Sequence, residues 1–319
     1  MIITLTPNPS VDRTVAFDDL HRGAVNRATS SRIDPGGKGV NVSRALTAQG
    51  AATLAVLPEG GPEGHLMADL LDDAGVARRG VPIRGSVRLN ITAVEPDGTT
   101  TKLNEPGPTL DASEVDRLLQ TVVDCVRSVP DEPVWVVTCG SLPPGAPVDL
   151  HARLVRSARA AGARVAVDSS GDPLRPAVAE RPDLVKPNRV ELEELVGAEL
   201  PTLGDVIDAA RDLVAQGIGT VAVSLGRDGA VLVDASGATH ARATIGTPRS
   251  TVGAGDCMLA GLVHDLSSGT TPEAALRTGV LWGAAAVTLP GSRVPGPDDL
   301  VGIAVELTST PDRSLAVRD

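Results

Sequence analysis

The chain has 319 residues, 42% of them hydrophobic and 22% charged, which places it among globular proteins long enough to bury a large core. Its formal net charge of −11 argues against a general binder of nucleic acid or membrane surfaces. Three cysteines (Cys125, Cys139, Cys257) stand far apart with no CxxC pair, so no disulfide framework or zinc site is indicated, and a reducing cytoplasm is the expected setting.

In chain order, "IITLTP" reads as a strand, with no basic leader or apolar h-region before it, so no signal peptide is expected. A helix is expected from near Val40, then the strand "ATLAVLP" and the helix "GHLMADLLDDAG". Further on come "VWVVTCG", the helix "DLHARLVRSARAAG", the strands "ARVAVDSS" and "DLVKPN", and helices at "RVELEELVG" and "LGDVIDAARDLVAQG". "TVAVSLG" precedes a hairpin, "AVLVDASGATHARA", turned at Ser-Gly, and two helices follow from about Ala254 and Pro272. The strands are continuous Val, Ala, Ile and Leu runs, as in a parallel sheet covered on both faces. Alternating strands and helices predict a doubly wound α/β fold, a mostly parallel sheet flanked by helices, with residues 1–319 forming one domain.

Two stretches, at about 11–34 and 87–105, instead alternate apolar and polar residues, and the second carries a turn at Pro96-Asp97-Gly98. They read as half-exposed strands of a small antiparallel β lid over the strand ends, where ligands bind in such folds. The longest apolar runs are too short to span a membrane, and the tail after about Pro311 is expected to fray.

Composition adds a hint. Of 29 cations only three are lysines (Lys38, Lys102, Lys186), and there are only six asparagines, at positions 8, 26, 41, 90, 104 and 188. In an Ala-, Gly-, Pro- and Arg-rich chain, a lysine persists where a planar guanidinium cannot replace a compact ammonium.

Five stretches can carry chemistry. "PGGKGVNVSRAL" has Gly36, Gly37 and Gly39, which admit close approach to the backbone, Lys38 as a point charge for an anion, and Asn41 one helical turn beyond Gly37. Its spacing is not that of a Walker P-loop, and a plain strand-to-helix turn would look similar. In "TPNPSVDR", Asp12 follows a strand end and can accept hydrogen bonds from sugar hydroxyls, or serve as a turn residue. Arg88 and Asn90 alternate along a lid strand and share one face. In "KPNRVELEEL", Asn188 and Glu191 are neighbours at a helix start; they suit both a capping box and the waters of a Mg²⁺ ion. In "SLGRDGAVLV", a strand ends and Gly226 and Gly229 make a tight turn into a hairpin, which can line a nucleotide or simply turn the chain. In "STVGAGDCMLAG", the amides of Ala254, Gly255 and Asp256 sit at a helix N-terminus, where free N–H groups and the dipole favour an anion. A carboxylate there suits a base for a hydroxyl that attacks phosphorus; it also suits an ordinary first-turn aspartate. Cys257 reads as a small buried residue rather than a nucleophile.

The two glycine-rich stretches, with "TLTPNPSVD", "RLNIT", "TCGSLPPG", "KPNRVELEEL" and "SLGRDGA" between and beside them in the expected order, resemble the ribokinase-like (PfkB) carbohydrate kinases over nearly the whole chain. "TLTPNPSVD" with "GGKGVNVSR" is similar to the phosphosugar branch of that family. The resemblance implies an ATP- and Mg²⁺-dependent phosphotransferase. Asp256 would be the catalytic base beside an anion hole of Gly253, Ala254 and Gly255. Asp12, Gly37, Lys38, Asn41, Arg88 and Asn90 would bind the sugar phosphate. Ser224, Gly226 and Gly229, with Lys186 and Asn188, would bind ATP, and Asn188 and Glu191 would hold Mg²⁺ through water. It implies conversion of fructose 1-phosphate to fructose 1,6-bisphosphate, with tagatose 6-phosphate or fructose 6-phosphate as the alternative acceptor, and a homodimer formed through the β lid. A non-catalytic sugar-phosphate sensor is the reading from another class, and the intact Asp256 turn counts against it.

Overall fold

The computed structural model describes residues 1–129 and 132–317. The strands are β1 (Ile2–Leu5), β2 (Ser10–Ala16), β3 (Ser30–Gly36), β4 (Thr53–Glu59), β5 (Arg78–Pro82), β6 (Arg88–Val94), β7 (Thr100–Leu103), β8 (Trp135–Cys139), β9 (Arg164–Asp168), β10 (Leu184–Val185), β11 (Thr220–Ser224), β12 (Ala230–Asp234), β13 (Gly237–Thr244) and β14 (Ala304–Thr308). The helices are α1 (Lys38–Ala48), α2 (Gly61–Asp73), α3 (Ala112–Arg127), α4 (Leu150–Ala160), α5 (Leu174–Ala179), α6 (Arg189–Val196), α7 (Leu203–Ala215), α8 (Ala254–Ser267) and α9 (Pro272–Val287).

A ten-stranded sheet runs β14-β13-β12-β11-β10-β9-β8-β1-β4-β5. From β5 to β11 every pair is parallel, and β12 to β14 add an antiparallel edge. Strand alternation divides the core. Ile3, Val136, Val165 and Val167 pack with residues of α3 to α7 on one face, while Ile2, Val137, Ala166 and Ala222 pack with residues of α1, α8 and α9 on the other. Both faces are apolar because both are covered, which is why these strands carry no polar alternation. Among the described residues no helix is long and apolar enough to cross a membrane.

The second sheet has four strands in the order β3-β2-β6-β7. Its outer pairs are antiparallel, and β2 and β6 run parallel at its centre. That register sets Ser10 beside Arg88 and Asp12 beside Asn90, so side chains distant in sequence share one face.

The structure adds β5, α5 and β14 to the elements read from the sequence, and two further features depart from that reading. Helix α3 was not expected; Asp111 and Glu114 form a reciprocal capping box at its start, and Val115, Leu118, Leu119 and Val122 make its buried stripe. The tail is packed rather than frayed as far as it is described. The amides of Leu203 and Gly204 at the start of α7 donate to the carbonyls of Leu315 and Arg313, and Val317 is buried. The tail thus supplies acceptors for N–H groups that a helix start leaves without partners.

Candidate active site

The site lies at the C-terminal ends of the parallel strands, between the large sheet and the lid. Helix α8 begins at Gly253, which holds φ 79° in the left-handed region that glycine adopts without strain. The Ala254 amide turns back weakly to the Thr251 carbonyl at 3.4 Å, whereas the amides of Gly255 and Asp256 have no backbone acceptor among the described residues. The expected three-amide anion hole is therefore chiefly two amides, reinforced by the helix dipole.

Asp256 is buried, and its Oδ2 accepts a 2.8 Å hydrogen bond from Asn41 Nδ2 on α1. Burial, with the nearby Asp168 carboxylate, pushes the Asp256 carboxyl up to about 6, against the opposing pull of Asn41, Lys38 and Lys186. A group so poised is ionised at neutral pH yet basic enough to take a proton. Its neighbour Cys257 is fully buried, and burial pushes that thiol above its ordinary range, so it has no thiolate to offer.

Behind Asp256 lies an ion triad that the sequence reading did not contain. Asp168, at the end of β9, is almost wholly buried; its Oδ1 pairs with Lys38 Nζ at 2.7 Å and its Oδ2 with Lys186 Nζ at 2.9 Å. Burial alone would raise the Asp168 carboxyl, but Lys186 and Lys38 outweigh it and hold the group below the usual range. Lys38 also stands 3.7 Å from Glu191 Oε1. Burial works against the Lys38 charge, and the Asp168 and Glu191 carboxylates overcome it and raise the ammonium above its ordinary value. Lys38, expected at the sugar phosphate, thus turns toward Asp168 and Glu191 at the α8 end of the site. Lys186 lies beside Gly255 at the same end. An Asp closing a buried parallel strand, in "VAVDSS", was the available signal for Asp168.

The lid supplies the other wall. Asp12 Oδ1 accepts from Ser10 Oγ at 2.6 Å and Asn90 Nδ2 at 3.0 Å. Burial raises its carboxyl, and these two donors partly offset that. Gly36 lies so close to the Asp12 carboxylate that a Cβ there would collide with it. Arg88 donates to the carbonyls of Asn8 at 3.0 Å and Glu105 at 3.2 Å. Burial pulls its basicity down, and the Asp12 charge opposes this. Buried polar atoms without a partner gather here: Thr6 Oγ1, Asn8 Oδ1, Arg88 Nε and Asn90 Oδ1. Native interiors leave few such groups, so this cluster marks a surface prepared for a polar ligand. Asn8 and Thr6 were not in the expected set.

On the far side of α8 a cavity of about 520 Å³ is lined by Ser224, Gly226 and Gly229, as expected, and by apolar groups that include Ile245, Met258, Val280 and Val287. Asn188 and Glu191 close a reciprocal capping box at the start of α6. Asn188 also bridges to Ser224, which sets α6 beside this cavity.

The two buried carboxylates should respond oppositely to removal. Asp168→Ala leaves two ammoniums without their partner and is expected to lower unfolding stability by about 3–5 kcal/mol in denaturant titrations. Asp256 is the reverse case. Its folded value of about 6 exceeds the ordinary 3.8, so the folded state holds the proton more tightly and stability is lost as pH rises from about 4 to 6. Asp256→Asn removes that cost. It should stabilise the protein at neutral pH by up to about 3 kcal/mol, with the gain vanishing as pH falls toward 4; calorimetry across this range reads it.

The sequence pattern of the pfkB family carbohydrate kinases matches residues 6–299. A 1-phosphofructokinase from Rhodobacter capsulatus is 38% identical over 308 residues, spanning 96% of this chain and 96% of that protein. The ATP-dependent 6-phosphofructokinase isozyme 2 of Escherichia coli is 35% identical over 301 residues, 93% of this chain and 96% of that one. A solved structure of phosphofructokinase-2 from Escherichia coli superimposes with a TM-score of 0.88 at 34% identity, covering 94% of this chain and 96% of that one. With the family pattern extending from the end of the first strand past the last helix, on a ribokinase-like fold shared nearly end to end, the chain belongs to the pfkB family of carbohydrate kinases, enzymes that transfer a phosphoryl group from ATP to a sugar hydroxyl.

Proposed function

We propose that this kinase phosphorylates the 6-hydroxyl of fructose 1-phosphate, with Asp256 as the base. The observation that carries the mechanism is the buried Asp256 carboxylate beside two unpaired helix amides, with the Lys38–Asp168–Lys186 triad behind it. The choice of acceptor is supported by relatives named 1-phosphofructokinase at 38% identity. Relatives named 6-phosphofructokinase isozyme 2 at 35–36% identity favour fructose 6-phosphate as the second reading.

The chemistry follows from position and charge. Asp12, Asn90 and Asn41 would hold the sugar hydroxyls and aim the free primary alcohol at Asp256, which takes its proton as the oxygen attacks phosphorus. The amides of Gly255 and Asp256 and the two ammoniums would meet the charge spreading over the transferred phosphoryl oxygens. The cavity behind α8 would take the adenosine of ATP.

Mg²⁺ suits the same end. Glu191 Oε2 accepts from the Asn188 amide, while Oε1 has, among the described residues, the 3.7 Å pair with Lys38 and keeps lone pairs for metal-bound waters. Among the described residues no cluster of three His, Cys, Asp or Glu side chains exists to strip the ion of its shell, as suits a cation that dehydrates reluctantly. Bound there through water by Asn188 and Glu191, it would neutralise phosphate charge.

The two cations expected at the sugar phosphate differ in their partners. Lys38 has carboxylate partners, whereas Arg88 donates to neutral carbonyls among the described residues, which supports Arg88 rather than Lys38 as the charge for an anionic substrate. We also propose a homodimer through the lid. All four residues of its edge strand β7 are exposed, Leu103 at 61%, a hazard that pairing with a second lid would remove.

Three outcomes are expected. Asp256→Asn should lose at least about 10²-fold in kcat, while wild-type kcat/KM falls on the acid side with a midpoint near the pKa of about 6; near-normal turnover of the variant would remove Asp256 as base. Arg88→Met should lower kcat/KM for fructose 1-phosphate by roughly 10- to 100-fold and spare the slow reaction with free fructose, whereas Lys38→Met should slow both. Equal loss with both sugars in Arg88→Met would deny Arg88 the phosphate. Light scattering should return the mass of two chains, and a sharp monomer at working concentration would refute the lid dimer.

A further inference from the structure

Arg44 lies on α1 one helical turn beyond Asn41, and neither the sequence reading nor the mechanism above uses it. Its Nη1 stands 3.1 Å from the Pro35 carbonyl, 3.1 Å from Asn41 Oδ1 and 3.2 Å from the Ser292 carbonyl. All three are neutral oxygens. They come from the end of the lid strand β3, from α1 itself and from the segment after α9, so the nitrogen is fixed from three sides.

The consequence is chemical. A guanidinium only donates, so the amide atom of Asn41 that faces Arg44 must be its oxygen. The NH₂ group then points the other way, to Asp256 Oδ2 at 2.8 Å. Turned over, the amide would set oxygen against the carboxylate and NH₂ against the guanidinium, two repulsions in place of two hydrogen bonds. We propose that Arg44 is a positioning residue that locks the Asn41 amide in one orientation, and so holds the Asp256 carboxylate ionised with Oδ1 directed to the acceptor hydroxyl. The proposal rests on the reading of Asp256 as the base.

Other charges around the pair are accounted for. Asp256 is faced by Asp168 at the end of β9, by Lys38 at the start of α1 and by Lys186 after β10. Arg44 is faced by Asp34 and Arg32 on β3, Asp12 on β2 and Cys257 on α8. None of the described carboxylates forms an ion pair with it; Asp34 instead binds Arg32 Nε at 2.7 Å. Removing Arg44 also takes a donor from the Pro35 and Ser292 carbonyls, but of its three partners the Asn41 amide is the one that touches Asp256, and it becomes free to turn.

The test is the pH profile of Arg44→Met with fructose 1-phosphate. The acid limb of kcat/KM should move up by about half a unit or more, because the ionised base has lost its fixed donor. For a shift of half a unit, kcat/KM should fall about twofold near pH 6 and return toward the wild-type value at alkaline pH. Arg44→Lys, whose ammonium can reach the same oxygens, should restore the wild-type limb. Adding Arg44→Met to Asn41→Ala should change nothing further, since the residue that transmits the effect is already absent. A limb that stays at the wild-type position, or losses that add in the double variant, would overturn the proposal. If Arg44→Met does not fold, Arg44→Gln carries the same measurements. Asp256→Asn keeps the two readings apart: if it retains turnover the base assignment fails, whereas an inactive Asp256→Asn with an unmoved limb in Arg44→Met fails the positioning role alone.

Discussion

A carboxylate proposed as the base must stay ionised inside the protein, beside the free amides of a helix start. Much of the site follows from that demand on Asp256. Burial makes the ionised form expensive, and Asp168 nearby makes it more so. Two ammoniums would overcorrect if they faced Asp256 alone, turning it into a weak base. Asp168 takes them first, with close pairs at 2.7 Å and 2.9 Å, and leaves Asp256 with one neutral donor from Asn41. The result is a carboxyl held at about 6, suited to the role of base proposed for it, rather than an inert salt bridge. The same arrangement gathers Lys38 and Lys186 at the end of the site proposed to receive the phosphoryl oxygens.

The fold makes this balance possible by bringing distant segments together. Asn41 and Asp256 are 215 residues apart, and Lys38 and Asp168 are 130 apart. They meet because α1 and α8 pack on the same face of the large sheet, with both N-termini at the C-terminal ends of its parallel strands. The lid meets them from the other side. Its central parallel pair sets Asp12 and Asn90 side by side, and the glycine loop before α1 lets the Asp12 carboxylate lie against the backbone. The unpartnered buried atoms at that wall sit where a sugar would satisfy them.

The alternating strands and helices, the lid segments, the two glycine-rich stretches and the capping box of Asn188 and Glu191 were all readable from residue order. Each depends on interactions within one element or its immediate neighbours: side-chain periodicity, turn chemistry, or a cap three residues long. Helix α3 was equally local, announced by the Asp111–Glu114 box, and was overlooked rather than hidden. The tail was different. Its order comes from docking on the start of α7, more than a hundred residues earlier, and nothing in the tail itself announces that.

The sequence by itself determined the fold class, the glycine turn from Gly253 to Asp256 proposed as catalytic, and Lys38, Asn41, Arg88 and Asn90 as the candidate side chains for the chemistry. Only the tertiary structure decided which partners each of them meets. Lys38, expected at the sugar phosphate, pairs with Asp168 and Glu191. Asp168 and Arg44 gained their importance only once their partners were known. The physical reason is that a side chain's charge and hydrogen-bonding capacity are set by its type, whereas the partner that uses them is set by packing between elements remote in the chain.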